Sequence, residues 1–191
     1  MKKIIVPIDF SEYSDYALET AAMLAKKNNA EILALHMLEM SDAILTKGED
    51  DMQMETIFFL RLAEKRFKEF LEKDYLEGVT VTPIVKHFKV FSEVNEVAKE
   101  QGADLIVMGS HGTSGIKEFF VGSNTEKVVR YADIPVLVIK HNPILTEFDT
   151  VVFACDFSED SVVAYLDAKR MFDSLKAKVH MVFVNLPSES F

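Results

Sequence analysis

Five short apolar runs, each too brief to be a helix, are spaced along the chain up to Ile139, and between them apolar residues recur at helical intervals. The runs are Ile4-Ile5-Val6-Pro7-Ile8, within Lys3 to Asp9; Ile32-Leu33-Ala34-Leu35, closing near His36-Met37; the alternating stretch from Val79 to Val85; Leu105-Ile106-Val107-Met108; and Pro135 to Ile139. Continuous aliphatic runs of this length read as buried strands, and the third, which alternates, as one nearer an edge. Pro7 cannot donate to a ladder, which places it near the end of its strand.

The segments between the runs read as helices. Ser11 caps the first, with Glu12 in its opening turn, Ala17, Ala21, Leu24 and Ala25 on one face, and Asn28-Asn29 at its end. Glu39 to Asp51 reads as a polar loop. In the long helix that follows, Leu60, Ala63, Phe67, Phe70 and Leu71 form the core stripe, and Glu64, Lys65, Lys68 and Glu69 the wet face. Val94, Val97 and Ala98 mark a short helix stopped at Gly102, and Glu126 to Tyr131 marks another. This alternation predicts an α/β fold: a doubly wound five-stranded parallel sheet with helices on both faces and right-handed crossovers. If the order is 3-2-1-4-5, strands one and four meet where the winding reverses, the place where such sheets bind ligands. Asp9 and Gly109 end those two strands.

The stretch from Gly109 to Asn124 carries Gly109, Gly112, Gly115 and Gly122 between the fourth strand and a helix. Ser123 and Glu126 stand at capping-box spacing, which predicts a helix start just after Gly122 with Ser123 as its cap. The free N–H groups and the dipole of a helix start favour a phosphate. The spacing is not that of the common phosphate loop, which closes on Gly-Lys-Ser/Thr, and no Gly-x-Gly-x-x-Gly fingerprint is present.

Gly109, Gly112, Gly122 and Ser123 instead match the pattern Gly, two residues, Gly, nine residues, Gly-Ser/Thr. With Val6-Pro7-Ile8-Asp9-Phe10-Ser11-Glu12 before it and Ile134-Pro135-Val136-Leu137-Val138-Ile139 after it, the chain resembles the universal stress protein family over residues 1–142. The resemblance implies a nucleotide-binding domain taking ATP or a related adenine nucleotide, with Mg2+ riding on the phosphates. By the same carry-over, Pro7 and Ile8 line an apolar slot, Asp9 accepts a hydrogen bond from the adenosine, and Met37 offers main chain to the adenine edge. Met108, Gly109, His111 and Gly112 approach the ribose and phosphates, and Gly122, Ser123 and Asn124 donate to the phosphates. Position alone leaves Asp9 open between ligand contact and helix-capping turn residue, and leaves His111 open as a solvent-facing loop residue. In one respect the chain departs from the family: Phe88 stands where a glycine usually follows the third strand.

A net charge of -10 and a pI near 5.0 argue against a nucleic-acid groove. The single cysteine, Cys155, excludes an internal disulfide framework and fits a reducing compartment. No apolar run approaches the roughly 20 residues of a membrane span, and the expected location is the cytoplasm. His36, His87, His141 and His180 show no metal-ligand spacing, and Ser110, Ser114 and Ser123 no Ser-His-Asp signature.

After a linker at 143–149, residues 150–191 repeat the opening at a constant offset of 147 positions. Asp156-Phe157-Ser158-Glu159 answers Asp9-Phe10-Ser11-Glu12, Ser161 answers Ser14, and Ala177 answers Ala30. An incomplete second β-α-β repeat is expected, with the chain read as a piece of a longer tandem protein. Three activities fit these observations. One is a nucleotide binder whose binding is coupled to dimerisation or partner choice, through a homodimer or an intramolecular pseudo-dimer along the fifth strand. The others are a slow ATPase or phosphotransferase, and a ligand-free dimerising scaffold of the same fold.

Overall fold

The computed structural model describes residues 1–38, 49–87, 93–111, 122–140 and 149–184. The chain divides into two compact units, Met1–Pro143 and Ile144–Phe191. The first runs β1 (Lys3–Pro7), α1 (Glu12–Asn28), β2 (Glu31–Leu38), α2 (Glu49–Phe70), a 3-10 turn at Asp74–Leu76, β3 (Val81–His87), α3 (Glu93–Gln101), β4 (Leu105–Gly109), α4 (Ser123–Tyr131) and β5 (Val136–Ile139). Its strands form one parallel sheet in the order β3-β2-β1-β4-β5. That is the order expected of a doubly wound fold whose winding reverses between β1 and β4.

The two sheet faces separate by the period of two along each strand. Ile5, Leu33, Leu35, Ile106 and Met108 lie on one face, where they cluster with Val94, Val97 and Ala98 of α3 and Val128 of α4. Ile4, Val6, Ile32, Ala34, Leu105 and Val107 fall on the other face, and all are buried. There α1 packs along β1, β2 and β4, its small buried residues Ala17, Ala21, Ala22 and Ala25 letting it lie close on the strands. The stripe of α2 is inward as its spacing predicts, with Ala63 and Phe67 buried.

Several boundaries differ from the sequence reading, each for a local reason. The long helix already begins at Glu49, so it takes in the end of the expected Glu39–Asp51 loop. β3 begins at Val81 because the N–H of Val79 is drawn into the preceding turn, donating to the Leu76 carbonyl at 3.0 Å. β3 is an edge strand, which accommodates Pro83 in its interior. The capping box at Ser123 does not form. Gly122 is the N-cap, Ser123 is the first helical residue, and no side chain caps this end.

The second unit consists of β6 (Thr150–Ala154), α5 (Glu159–Leu175) and β7 (Lys178–Val182), with β6 and β7 parallel. Its turns repeat those of the first unit at the same offset. Phe10 and Phe157 both take left-handed backbone, at φ 64° and 60°, and so do Asn29 and Lys176, at 51° and 57°. Ser11 and Ser158 each cap their helix by accepting from Ser14 and Ser161 N–H, both at 3.2 Å. The hydroxyls of Ser158 and Ser161, with the Ser158 N–H, hold the Asp156 carboxyl well below the usual carboxylate range.

Candidate functional site

The tips of β1 and β4 lie side by side because the two strands pair in parallel, Ile4 with Leu105 and Ile5 with Ile106. Beyond Pro7 the ladder ends, and Ile8 is held by its N–H to the Leu35 carbonyl at 2.7 Å. The chain then turns sharply. Asp9 Oδ1 accepts from the Ser11 N–H at 3.0 Å and from the Ser11 hydroxyl at 2.6 Å, so this oxygen serves the turn that starts α1.

β4 ends against α1. A Cβ at Gly109 would lie 2.7 Å from Tyr13 Cβ, so the absent side chain makes room for the first turn of α1. Ser110 is fully buried, its N–H donating to the Ile139 carbonyl at 2.8 Å. Its hydroxyl lies 2.9 Å from His111 Nδ1, and the His111 ring stands 5.3 Å from that of Tyr13. His111 Nε2 is buried with no hydrogen-bond partner among the described residues.

At the other end of this stretch stands Gly122, whose N–H donates to the Ser110 carbonyl at 2.8 Å and whose carbonyl accepts from Glu126 N–H at 2.9 Å. A Cβ on Gly122 would stand 3.3 Å from the Ser110 oxygen. Thr125, 3% exposed, donates its hydroxyl to the Gly109 carbonyl at 2.9 Å. Two hydrogen bonds therefore tie the neck of the glycine stretch, and they set the N-terminus of α4 beside the tip of β4. Ser123 and Asn124, in its first turn, are exposed.

The structure thus brings Ile8 and Asp9 to one strand tip, and Gly109, His111, Gly122, Ser123 and Asn124 to the neighbouring one. Pro7 closes β1 and is half-buried. The side chains of Met37 and Met108 pack toward the α3–α4 core, which leaves their main chain as the part that reaches the tips. The Gly122 N–H is committed to Ser110, so the amides of Ser123 and Asn124 lead this helix end. Gly112, Gly115 and Phe88 lie outside the described residues.

Sequence reasoning missed four residues that build the site: Tyr13, Ser110, Thr125 and His36. Thr125 had a signal, since it falls three positions before Val128 on the face that both bury. His36 had none. Its Nδ1 lies 2.7 Å from the Ile8 carbonyl, across 28 positions of sequence. Burial chiefly pushes its imidazole below the usual value, with Arg66 adding to the effect and the Ile8 bond and Asp9 opposing it.

Among the described residues, no group of three or more His, Cys, Asp or Glu side chains could hold a metal ion, and no helix is long and apolar enough to cross a membrane.

Residues 1–140 match the Universal stress protein family. Universal stress protein MJ0577 of Methanocaldococcus jannaschii is 30% identical over 153 residues, spanning 73% of this chain and 94% of its own length. Its solved structure superposes with a TM-score of 0.59 at 28% identity, over 73% of this chain and 96% of that one. Universal stress protein G of Shigella flexneri is 34% identical over 142 residues, 73% of this chain and 99% of its own length. The crystal structure of a universal stress protein from Archaeoglobus fulgidus shares the fold over 98% of this chain and 68% of its own, with a TM-score of 0.64 at 24% identity.

Proposed function

The chain belongs to the universal stress protein family, and from that premise we propose that its first unit binds ATP or a related adenine nucleotide across the tips of β1 and β4, with Mg2+ carried on the phosphates. The observation that carries this reading is the tied neck. It holds a strand tip and a helix N-terminus side by side, where the parallel sheet changes winding direction. The amides of Ser123 and Asn124 occupy the first helical turn, where N–H groups lack intrahelical acceptors and the dipole favours an anion. His111 Nε2, buried at the same neck without a partner among the described residues, is an atom that a ligand oxygen would satisfy. In this reading Asp9, with the main chain of Ile8 and Met37, faces the adenosine, and Pro7 walls the slot.

Binding at this place biases association or partner choice, through pairing along the edge strand β5. The lone thiol of Cys155 fits work in the cytoplasm. The recurrence of the Asp-Phe-Ser turn, the left-handed residues and the helix cap supports reading the second unit as another copy of the opening β-α-β of this domain.

Thermal unfolding with and without Mg-ATP tests the proposal. A ligand of the native state raises the midpoint in proportion to the logarithm of its concentration. A midpoint indifferent to millimolar nucleotide would count against it.

A further inference from the structure

Ile8 is held from both sides by β2. Its N–H donates to the Leu35 carbonyl at 2.7 Å, and its carbonyl meets His36 Nδ1 at 2.7 Å. A carbonyl only accepts, so His36 Nδ1 carries the proton. The second contact fixes the peptide plane joining Ile8 to Asp9, one position beyond the end of the β1 ladder. The imidazole itself is locked by ring contacts: Phe10 at 4.6 Å and Phe67, edge-on, at 5.8 Å. Phe10 in turn packs on Phe67 and Phe70, both at 5.5 Å.

The second unit provides an internal control. At the same offset, Cys155 N–H donates to the Val182 carbonyl at 3.0 Å, and Asp156 accepts from Ser158 as Asp9 does from Ser11. Phe157 repeats the left-handed Phe10, and its ring meets the residue answering His36 at 5.2 Å and 49°, against 4.6 Å and 47° in the first unit. That residue is Phe183. The turn, the left-handed residue and the tilted ring pair thus all form without an imidazole. What the first unit adds is one N–H aimed at the peptide before Asp9, in the unit that holds every glycine of the chain.

We infer that His36 is a positioning residue of the nucleotide site: its Nδ1–H bond to Ile8 orients the Ile8–Asp9 peptide against the ligand, while its ring serves packing, on Phe10 as Phe183 does on Phe157, and on Phe67 of α2 besides. This rests on the nucleotide reading above and adds a role for a residue that touches no ligand itself. Asp9, from the β1–α1 turn, and Arg66, from α2, are the charged groups that act on the imidazole.

Calorimetric titration of the full chain with Mg-ATP, alongside thermal unfolding, separates the two parts of the ring. His36→Phe copies the second unit, keeping the packing and losing the donor. His36→Asn keeps a donor and loses the ring. The expected result is that His36→Phe unfolds near the wild-type midpoint yet binds about tenfold more weakly, the loss typical of one hydrogen bond. His36→Asn unfolds earlier yet binds more tightly than His36→Phe. Affinity that follows stability across the two variants, or wild-type affinity in His36→Phe, would overturn the inference and leave the nucleotide reading standing. A wild-type chain that takes up no nucleotide would overturn both.

Discussion

Tyr13 occupies the space that a side chain at Gly109 would need. A Cβ there would lie 2.7 Å from Tyr13 Cβ and 2.8 Å from its carbonyl carbon and oxygen. Two of those three atoms are main chain of α1, which cannot swing aside as a side-chain end can. Gly109→Ala is therefore expected to destabilise the first unit by about 1–3 kcal/mol, the range for overpacking. The midpoint of urea unfolding reads this directly. An unchanged midpoint would mean that α1 is not seated on the tip of β4.

Thr125 offers a second handle on the same neck. Its hydroxyl is buried and donates to the Gly109 carbonyl at 2.9 Å. Thr125→Val keeps the shape and leaves that acceptor without its donor, at an expected cost of about 1–3 kcal/mol. Thr125→Ser restores the donor and should recover most of the loss. Equal destabilisation by both variants would show that the methyl group matters and the bond does not.

The two serine caps predict matched effects. Ser11 and Ser158 accept from the N–H three positions on at the same 3.2 Å. Replacing either by Ala should cost about 1 kcal/mol of local stability. Amide hydrogen exchange resolves α1 from α5, so faster exchange should appear in the first turn of the altered helix. A loss at one cap without a loss at the other would break the equivalence of the turns.

His36 makes stability depend on pH with a definite sign. Its imidazole is held below the usual 6.5, first by burial. The unfolded chain therefore takes up this proton at a higher pH than the folded one. The residue's contribution is whole above 6.5 and is lost as pH falls through the lowered folded value. The two midpoints of wild type and His36→Phe, close at neutral pH, should part as the solution is acidified below about 6.5, wild type falling below the variant, which has no imidazole to protonate. A wild-type midpoint that kept pace with the variant, or rose above it, would contradict a neutral, buried ring.

The fold was readable because its determinants are local. The aliphatic runs of β1, β2 and β4 are buried on both faces, and the left-handed Asn29 and Gly102 stand where turn chemistry places them. The site was readable only where glycine spacing carried the signal. The helix start just after Gly122 was legible, but no capping box makes it: Gly122 is the N-cap, and its N–H bonds across the neck to Ser110, a contact that no local pattern shows. Tyr13 against Gly109 and His36 against Ile8 could not be seen in sequence, since each depends on the packing of elements far apart along the chain. The family resemblance brings Gly109 to the ribose and phosphates. In the structure its missing side chain first of all admits Tyr13.

The most direct test of nucleotide binding compares the wild-type chain with Ser123→Asp by calorimetric titration against Mg-ATP. Ser123 is exposed at the first position of α4. A carboxylate there suits the helix dipole by about 0.3–1 kcal/mol, so the unit should remain folded. The same charge would face the phosphates. Saturable binding to wild type that is lost in a folded Ser123→Asp is the predicted result. Wild type without heat of binding, or a Ser123→Asp variant that binds as tightly, would contradict the account.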